Sequence, residues 1–282
     1  LAISDRIASP PRSLLESLER DRPLMPHLWE KNKNRNANES LRLKLTFIVG
    51  RLEATRQEVA SRDANRPEKV EGAYTSSEQL LADLKLVEEA VRAGGAEHAV
   101  RSLVAPLVAQ VETLGFAGYY LDLRDDSETH TRTVDAIAAS VDVGKLDEQG
   151  LRRELLGRRP LLSPHTQLDE EATKVVDVFR TMRQVQGEFG ERAAGTYIIS
   201  MCRRAEDLLR VLLLAREVGL CDLTADPPVS HLDVVPLFET QADLANAPKV
   251  LKELVSDPVY AKQLQARGMH QEIMLGYSDS AK

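Results

Sequence analysis

The chain has 282 residues, enough for one large domain or two ordinary ones with a sizeable hydrophobic core. Its 44 acidic and 37 basic residues give a formal net charge of −7, and only 4% of the residues are aromatic. These values argue against a nucleic-acid-binding protein, because such proteins neutralise phosphates with Lys and Arg and stack bases on aromatic rings. No apolar run approaches the ~20 residues that span a bilayer, so we expect no membrane partner.

Residues 1–115 are predicted to be helical, because apolar residues recur there at the spacing of one helix face. Three stretches show this spacing: Leu41, Leu45, Ile48 and Leu52; Leu80, Leu84, Val87 and Val91; and Val100, Leu103, Leu107, Val111 and Leu114. Ser76 followed by Gln79 fits a capping box that opens the second helix. Pro106 predicts a kink or break in the third.

Residues 116–282 show a different pattern, in which short apolar segments alternate with helical ones. The strand candidates are Tyr119–Arg124, Thr196–Met201, Leu232–Phe238 and Glu272–Gly276. Strands that alternate with helices predict βαβ units and a parallel sheet, hence an α/β fold beside the helical region. A closed (β/α)8 barrel needs eight strands, so the pattern alone fits either part of a barrel or a small open sheet.

Two of these strands lead directly to carboxylates, at Glu239 and Asp279. Active sites of parallel barrels form at the carboxyl ends of strands, and carboxylate oxygens suit hard cations such as Mg2+ or Mn2+. A shared metal ion is one interpretation. The alternative is that each carboxylate caps the helix that follows it.

Several motifs taken together resemble the phosphoenolpyruvate carboxylase family. They are GYSDSAK at residues 276–282, VVPLFET at 234–240, TYIISM at 196–201, YLDLR at 120–124 and DPVY at 257–260. The resemblance covers nearly the whole chain. It implies that these residues form a portion of a (β/α)8 TIM-like barrel with a large helical part, and a central fragment of a longer enzyme.

In function, the resemblance implies a lyase that converts phosphoenolpyruvate and bicarbonate to oxaloacetate and phosphate. Glu239 and Asp279 would bind Mg2+ or Mn2+, and Arg124 and Lys282 would be catalytic and substrate-binding residues. The family also implies an allosteric homotetramer for the full-length protein. Asp125 departs from the family, which commonly has Gln after this Arg; its negative charge would weaken an anion site unless its side chain points away.

Other readings stay open from the sequence. One is another metal-dependent barrel enzyme that forms a pyruvate enolate, and another is a non-catalytic helical scaffold. We expect the 282-residue chain alone to be inactive. Cys202 and Cys221 have no metal or disulfide spacing, so we expect a cytoplasmic protein. Cys202 is predicted to be a small buried residue and not a nucleophile. His130 is predicted to lie on a helix surface.

Overall fold

The computed structural model describes residues 4–63, 66 and 68–276. The chain divides into two compact units, Leu1–Gly118 and Tyr119–Lys282. It is mostly helical, and the second unit contains a four-stranded parallel sheet. Among the residues described, no helix is long and apolar enough to cross a membrane.

The first unit consists of helices packed around apolar side chains. The helices are α1 (Arg12–Leu24), α2 (Pro26–Asn32), α3 (Ser40–Asp63), α4 (Ser77–Ala93), α5 (Glu97–Ala99) and α6 (Ala105–Leu114). Most of the predicted apolar stripes are buried, as expected for helix faces that meet in a core. Leu52, Leu103 and Leu107 are exceptions, because their side chains are exposed.

Two local predictions for this unit have different outcomes. Ser76 does occupy the N-cap position of α4, but its side chain forms no capping hydrogen bond. The Gln79 amide instead donates to the Thr75 hydroxyl at 2.7 Å, so the predicted capping box is wrong. The irregularity predicted at Pro106 is confirmed, since a π-helical turn, Val100–Val104, separates α5 from α6.

A buried polar cluster lies within the first unit. The Lys44 ammonium is fully buried and donates to Asp21 at 2.7 Å and to Asp83 at 2.6 Å. Asp83 also accepts hydrogen bonds from Arg51 and from the Tyr74 hydroxyl. Because buried charges are costly unless they are paired, this cluster ties α1, α3 and α4 together in one arrangement.

The second unit alternates strands and helices. Its helices are α7 (Ser127–Ser140), α8 (Glu148–Leu155), α9 (Glu170–Phe189), α10 (Ala205–Glu217), α11 (Gln241–Ser256) and α12 (Pro258–Ala266). Its strands are β1 (Asp122–Asp126), β2 (Thr196–Ser200), β3 (Cys221–Asp222), β4 (Val229–Ser230), β5 (Asp233–Phe238) and β6 (Met274–Leu275). The short antiparallel pair of β3 and β4 was not predicted from the sequence.

The main sheet has the strand order β1-β2-β5-β6, and every neighbouring pair is parallel. The parallel sheet predicted from the alternating pattern is therefore confirmed. On one face, Tyr197, Val234 and Phe238 belong to the large core built with the helices. On the other face, Ile198, Val235 and neighbouring apolar residues form a separate small cluster. All four strands point the same way, so their carboxyl ends lie along one edge of the sheet.

The opposite edge of the sheet is held by charged side chains. The Arg267 guanidinium donates two hydrogen bonds to the Asp233 carboxylate, both at 2.8 Å, and it also pairs with Glu191. The Glu191 carboxylate oxygen Oε2 also lies 2.8 Å from His231 Nδ1. Bidentate pairing of this kind fixes geometry as well as charge, so the amino end of β5 is anchored.

Candidate functional site at the carboxyl edge of the sheet

Three neighbouring strands present polar side chains at the carboxyl edge. Arg124 lies on β1, Ser200 is the last residue of β2, and Glu239 directly follows β5. Arg124 is in register with Ile198 and therefore shares a sheet face with Ser200, two residues further along β2. The strand order β1-β2-β5 places Ser200 on the strand between those that carry Arg124 and Glu239.

The three side chains form one hydrogen-bonded group. Arg124 donates through Nη2 to Glu239 Oε1 and through Nε to Ser200 Oγ. The Arg124 side chain is 50% exposed and that of Glu239 is 13% exposed. An ion pair with a half-exposed partner contributes only about 0–1 kcal/mol to stability, so this pair can be exchanged for a ligand at little cost.

The turn after β2 also holds Glu239. The backbone N–H of Met201 donates to Glu239 Oε2 at 3.3 Å. Met201 has a φ of 54°, in the left-handed region that non-glycine residues seldom adopt. Its carbonyl accepts a hydrogen bond from the Ser127 hydroxyl at 2.9 Å, which fixes the turn against the start of α7. Such unusual backbone conformations are found disproportionately at functional sites.

The helix-capping interpretation of Glu239 is not supported. Thr240 is the N-cap of α11, and its hydroxyl accepts from the backbone N–H of Asp243 at 3.1 Å. The Asp243 carboxylate completes a capping box by accepting from the Thr240 N–H at 3.1 Å. The capping box thus binds the N–H groups of Thr240 and Asp243, and the Glu239 carboxylate accepts hydrogen bonds from Arg124 and Met201 instead.

The acidic residues beside Arg124 do not pair with it. Asp126 is the N-cap of α7 and accepts from the backbone N–H of Glu128 at 2.8 Å. Asp125 accepts from the Asp126 N–H at 2.8 Å and is in register with Ile199, on the helix-packed face. Alternation along β1 therefore directs Asp125 away from the face that carries Arg124. Its carboxylate therefore lies on the opposite face of the strand from the Arg124 guanidinium.

His130 lies beneath this edge, on the side of the helices. The prediction of a helix-surface histidine is wrong, because His130 is fully buried. Its Nε2 contacts the Tyr197 hydroxyl at 2.8 Å, whereas its Nδ1 has no hydrogen-bond partner among the described residues. Burial lowers the pKa of His130 to about 4, although the negative charges of Asp125 and Asp126 oppose this shift.

Of the two carboxylates predicted to bind a metal, Glu239 is the one that the structure describes. Within residues 4–63, 66 and 68–276, no group of three His, Cys, Asp or Glu side chains has the arrangement of a metal site. Glu239 fits a hard cation by its chemistry and its low exposure. The chain leaving β6 passes very close to it: a Cβ added at Gly276 would lie 2.8 Å from the Glu239 Cα. Asp279 and Lys282 lie outside the described residues.

The cysteines are not part of this site. Cys202 and Cys221 are both buried and free, which confirms the prediction of a small buried residue at Cys202. Burial raises the pKa of the Cys202 thiol well above its usual range and that of Cys221 to about 12. Both therefore lack the thiolate character of a nucleophile.

Comparisons with known proteins agree with the motifs. The family model described as phosphoenolpyruvate carboxylase matches residues 1–282. Similar relatives carry the same name: one from Gloeobacter violaceus is 38% identical over 97% of this chain, and one from Nocardia farcinica is 39% identical over 88%.

The chain spans 30% of the length of the Gloeobacter protein and 28% of the Nocardia protein. The match nevertheless extends across the whole of the present sequence. The chain therefore belongs to the phosphoenolpyruvate carboxylase family.

Proposed function

We propose that this chain supplies part of the active site of an enzyme that carboxylates phosphoenolpyruvate with bicarbonate. The observation that carries the proposal is the group formed by Arg124, Ser200 and Glu239 at the carboxyl edge of a parallel sheet. Family membership supports the choice of reaction. Sites in parallel α/β proteins lie at this edge, where the strand ends converge.

Arg124 is proposed to bind an anionic group of the substrate. A guanidinium can hold a carboxylate or phosphate with two parallel hydrogen bonds, and Arg124 is half exposed, so a ligand can reach it. Lys282, the last residue of the GYSDSAK motif, is proposed to neutralise negative charge nearby. Asp125, which replaces the family's usual Gln, does not conflict with this role, since it is in register with core-facing Ile199.

Glu239 and Asp279 are proposed to hold Mg2+ or Mn2+. Support comes from the carboxylate of Glu239 at the strand end and from Gly276, which lies against Glu239 and precedes Asp279 by three positions. A divalent cation bound there supplies Lewis-acid stabilisation of negative charge on the enolate oxygen of the substrate. Glu239 would then serve both the cation and Arg124, whose guanidinium donates to the Glu239 carboxylate in this structure.

The proposed reaction balances in three steps. An oxygen of bicarbonate attacks the phosphorus of phosphoenolpyruvate and the bond from phosphorus to the enolate oxygen breaks, which gives carboxyphosphate and the enolate of pyruvate. Carboxyphosphate releases carbon dioxide and inorganic phosphate, and the enolate carbon then attacks carbon dioxide to form oxaloacetate. Positive charge from Arg124 and Lys282 would stabilise the anions, and exclusion of water would protect the enolate from protonation.

We extend the proposal to architecture and assembly on the basis of family membership. The four parallel strands are proposed to be a portion of a (β/α)8 barrel, preceded by a helical region at residues 1–115. The complete protein is proposed to be a cytoplasmic homotetramer. Because the chain spans 30% of the Gloeobacter relative, we expect the 282 residues alone to lack activity.

The test is a coupled assay on the complete protein that contains this chain. Phosphoenolpyruvate, bicarbonate and Mg2+ are supplied, and oxaloacetate is followed through its reduction by malate dehydrogenase and NADH. Replacing Arg124 by Gln removes a charge-assisted contact worth about 2–3 kcal/mol, so kcat/KM should fall roughly 30- to 150-fold. The matched control is Arg132→Gln, which removes an arginine paired with Glu171 on the surface of α7 and α9.

The outcomes separate the proposal from its alternatives. The site and the reaction are supported together if oxaloacetate production depends on bicarbonate, falls as expected in Arg124→Gln and is unchanged in Arg132→Gln. If the folded protein makes no oxaloacetate with metal present, the proposal is wrong, and ADP or an acyl-coenzyme A ester becomes the next co-substrate to test. Equal activity of wild type and Arg124→Gln would mean that Arg124 is not part of the active site.

A further inference from the structure

Ser200 is the neutral member of the group at the carboxyl edge. It ends β2, and only 8% of its surface is exposed. Its hydroxyl accepts a hydrogen bond from Arg124 Nε, the nitrogen closest to the aliphatic part of that side chain. Since β2 lies between β1 and β5, this hydroxyl is held by the sheet itself and not by a mobile loop.

The contact at Nε has a different consequence from the contact at Nη2. An arginine side chain carries about 2 kcal/mol of rotamer entropy, and half-exposed Arg124 needs a fixed partner to keep one orientation. Glu239 is one such partner, but its carboxylate is also a proposed metal ligand and would be shared between Arg124 and the cation. Ser200 carries no charge, so it holds the guanidinium without neutralising it, and it is not one of the proposed metal ligands.

We propose that Ser200 is a positioning residue that holds the Arg124 guanidinium at the carboxyl edge, ready for an anionic group of the substrate. The inference rests on the proposed function for the identity of that anion. The geometric evidence is independent of the proposed function. It consists of the Nε contact, the burial of Ser200 and its place on β2, between β1 and β5.

The experiment uses the complete protein that contains this chain. Ser200→Ala removes the acceptor, whereas Ser200→Thr keeps a hydroxyl at the same position. Ser230→Ala is the control: Ser230 is also a buried strand serine, 5% exposed, but its hydroxyl bonds to the Leu232 carbonyl at 3.3 Å, close to the amino end of β5. Each variant is assayed for KM and kcat with phosphoenolpyruvate, and Ser200→Ala is also combined with Arg124→Gln. Crystal structures of wild type and Ser200→Ala give the orientation of Arg124 directly.

We expect Ser200→Ala to raise the KM for phosphoenolpyruvate about tenfold, the effect of losing one hydrogen bond to a charged group, with a much smaller change in kcat. Ser200→Thr and Ser230→Ala should keep the wild-type KM. In the Arg124→Gln background, Ser200→Ala should add nothing, because the group that it positions is already gone.

Three results would overturn the inference. One is an active wild type whose KM is unchanged in Ser200→Ala. Another is the same increase in KM for Ser200→Ala with or without Arg124, which would indicate a general structural effect. The third is an Arg124 orientation that is identical in wild type and Ser200→Ala, whereas a lost or altered orientation supports the positioning role.

If wild type makes no oxaloacetate, the proposed function fails. The crystal structures then test the positioning role of Ser200 independently of activity.

Discussion

Buried His130 makes the stability of the second unit dependent on pH. The ring is fully buried between α7 and β2, with Nε2 on the Tyr197 hydroxyl. The ionisable groups that act on it are Asp125 and Asp126 from β1, and their charges do not offset the cost of burial. The folded state therefore holds His130 neutral over a pH range in which an unfolded chain would protonate it. Replacing His130 by Gln removes this titration.

The magnitude follows from the two pKa values. The pKa of His130 falls from 6.5 to about 4 on folding, so the unfolded state binds more protons between these values. The contribution of neutral His130 to the free energy of unfolding is fully present above pH 6.5. It is lost as the pH falls towards the pKa of the folded state. The loss amounts to about 2 kcal/mol at pH 5 and to about 3 kcal/mol below pH 4, relative to pH 8.

The assay is urea unfolding of wild type and His130→Gln between pH 8 and pH 5. Between pH 8 and pH 5, the free energy of unfolding should fall by about 2 kcal/mol more for wild type than for His130→Gln. Proton NMR of the imidazoles gives a second measurement, in which the His130 signal is identified by its absence from the variant. Its midpoint should lie near pH 4.

The control is His165→Gln, in an exposed turn of the same unit, which should keep the wild-type pH dependence. A His130 resonance that titrates near pH 6.5 would refute the reasoning, since it would mean that burial does not disfavour the charged ring. Parallel pH profiles for wild type and His130→Gln would refute it as well.

Two further predictions concern Lys44 and Gly276. Replacing Lys44 by Met leaves the buried carboxylates of Asp21 and Asp83 without their main cation, so the free energy of unfolding should fall by about 3–5 kcal/mol in urea titrations. Replacing Gly276 by Ala forces a Cβ to within 2.8 Å of the Glu239 Cα, so affinity for Mn2+, measured by electron paramagnetic resonance, should fall about tenfold with the fold retained.

Each of these has a matched control. Lys85 forms an exposed pair with Glu112, so Lys85→Met should cost less than about 1 kcal/mol, and an equal loss in both lysine variants would contradict the first prediction. Gly187 lies in α9, and a Cβ added there would meet nothing within 4 Å, so Gly187→Ala should leave metal affinity unchanged. Wild-type affinity for Mn2+ in Gly276→Ala would contradict the second.

The parallel sheet could be predicted because its strands are short apolar runs bounded by helical patterns. The strand ends were harder to predict. β1 begins at Asp122 and not at Tyr119, and it includes three aspartates, which strands usually disfavour. Two of these aspartates have local hydrogen bonds: Asp126 caps α7, and Asp125 accepts from the Asp126 N–H. The two-residue strands β3 and β4 have too few residues to show any alternation.

The candidate site was predicted in part. Arg124 and Glu239 were chosen from strand ends and motifs, and the structure brings them into contact. Ser200 was missed because a serine at the end of an apolar strand has no distinctive spacing. Ser200 falls on the same face as Arg124 only once the register of β1 and β2 is known, and the structure supplies that register. The burial of His130 depends on contacts between α7 and β2 that no local pattern records.

The most direct test of the central claim follows an oxygen atom. The complete protein is given phosphoenolpyruvate, Mg2+ and bicarbonate labelled with oxygen-18, and the inorganic phosphate released is analysed by mass spectrometry. Attack of bicarbonate on phosphorus predicts one labelled oxygen in each phosphate formed together with oxaloacetate, and loss of both products in Glu239→Gln. Two results would contradict the account. One is unlabelled phosphate from wild type, and the other is continued formation of labelled phosphate and oxaloacetate by Glu239→Gln.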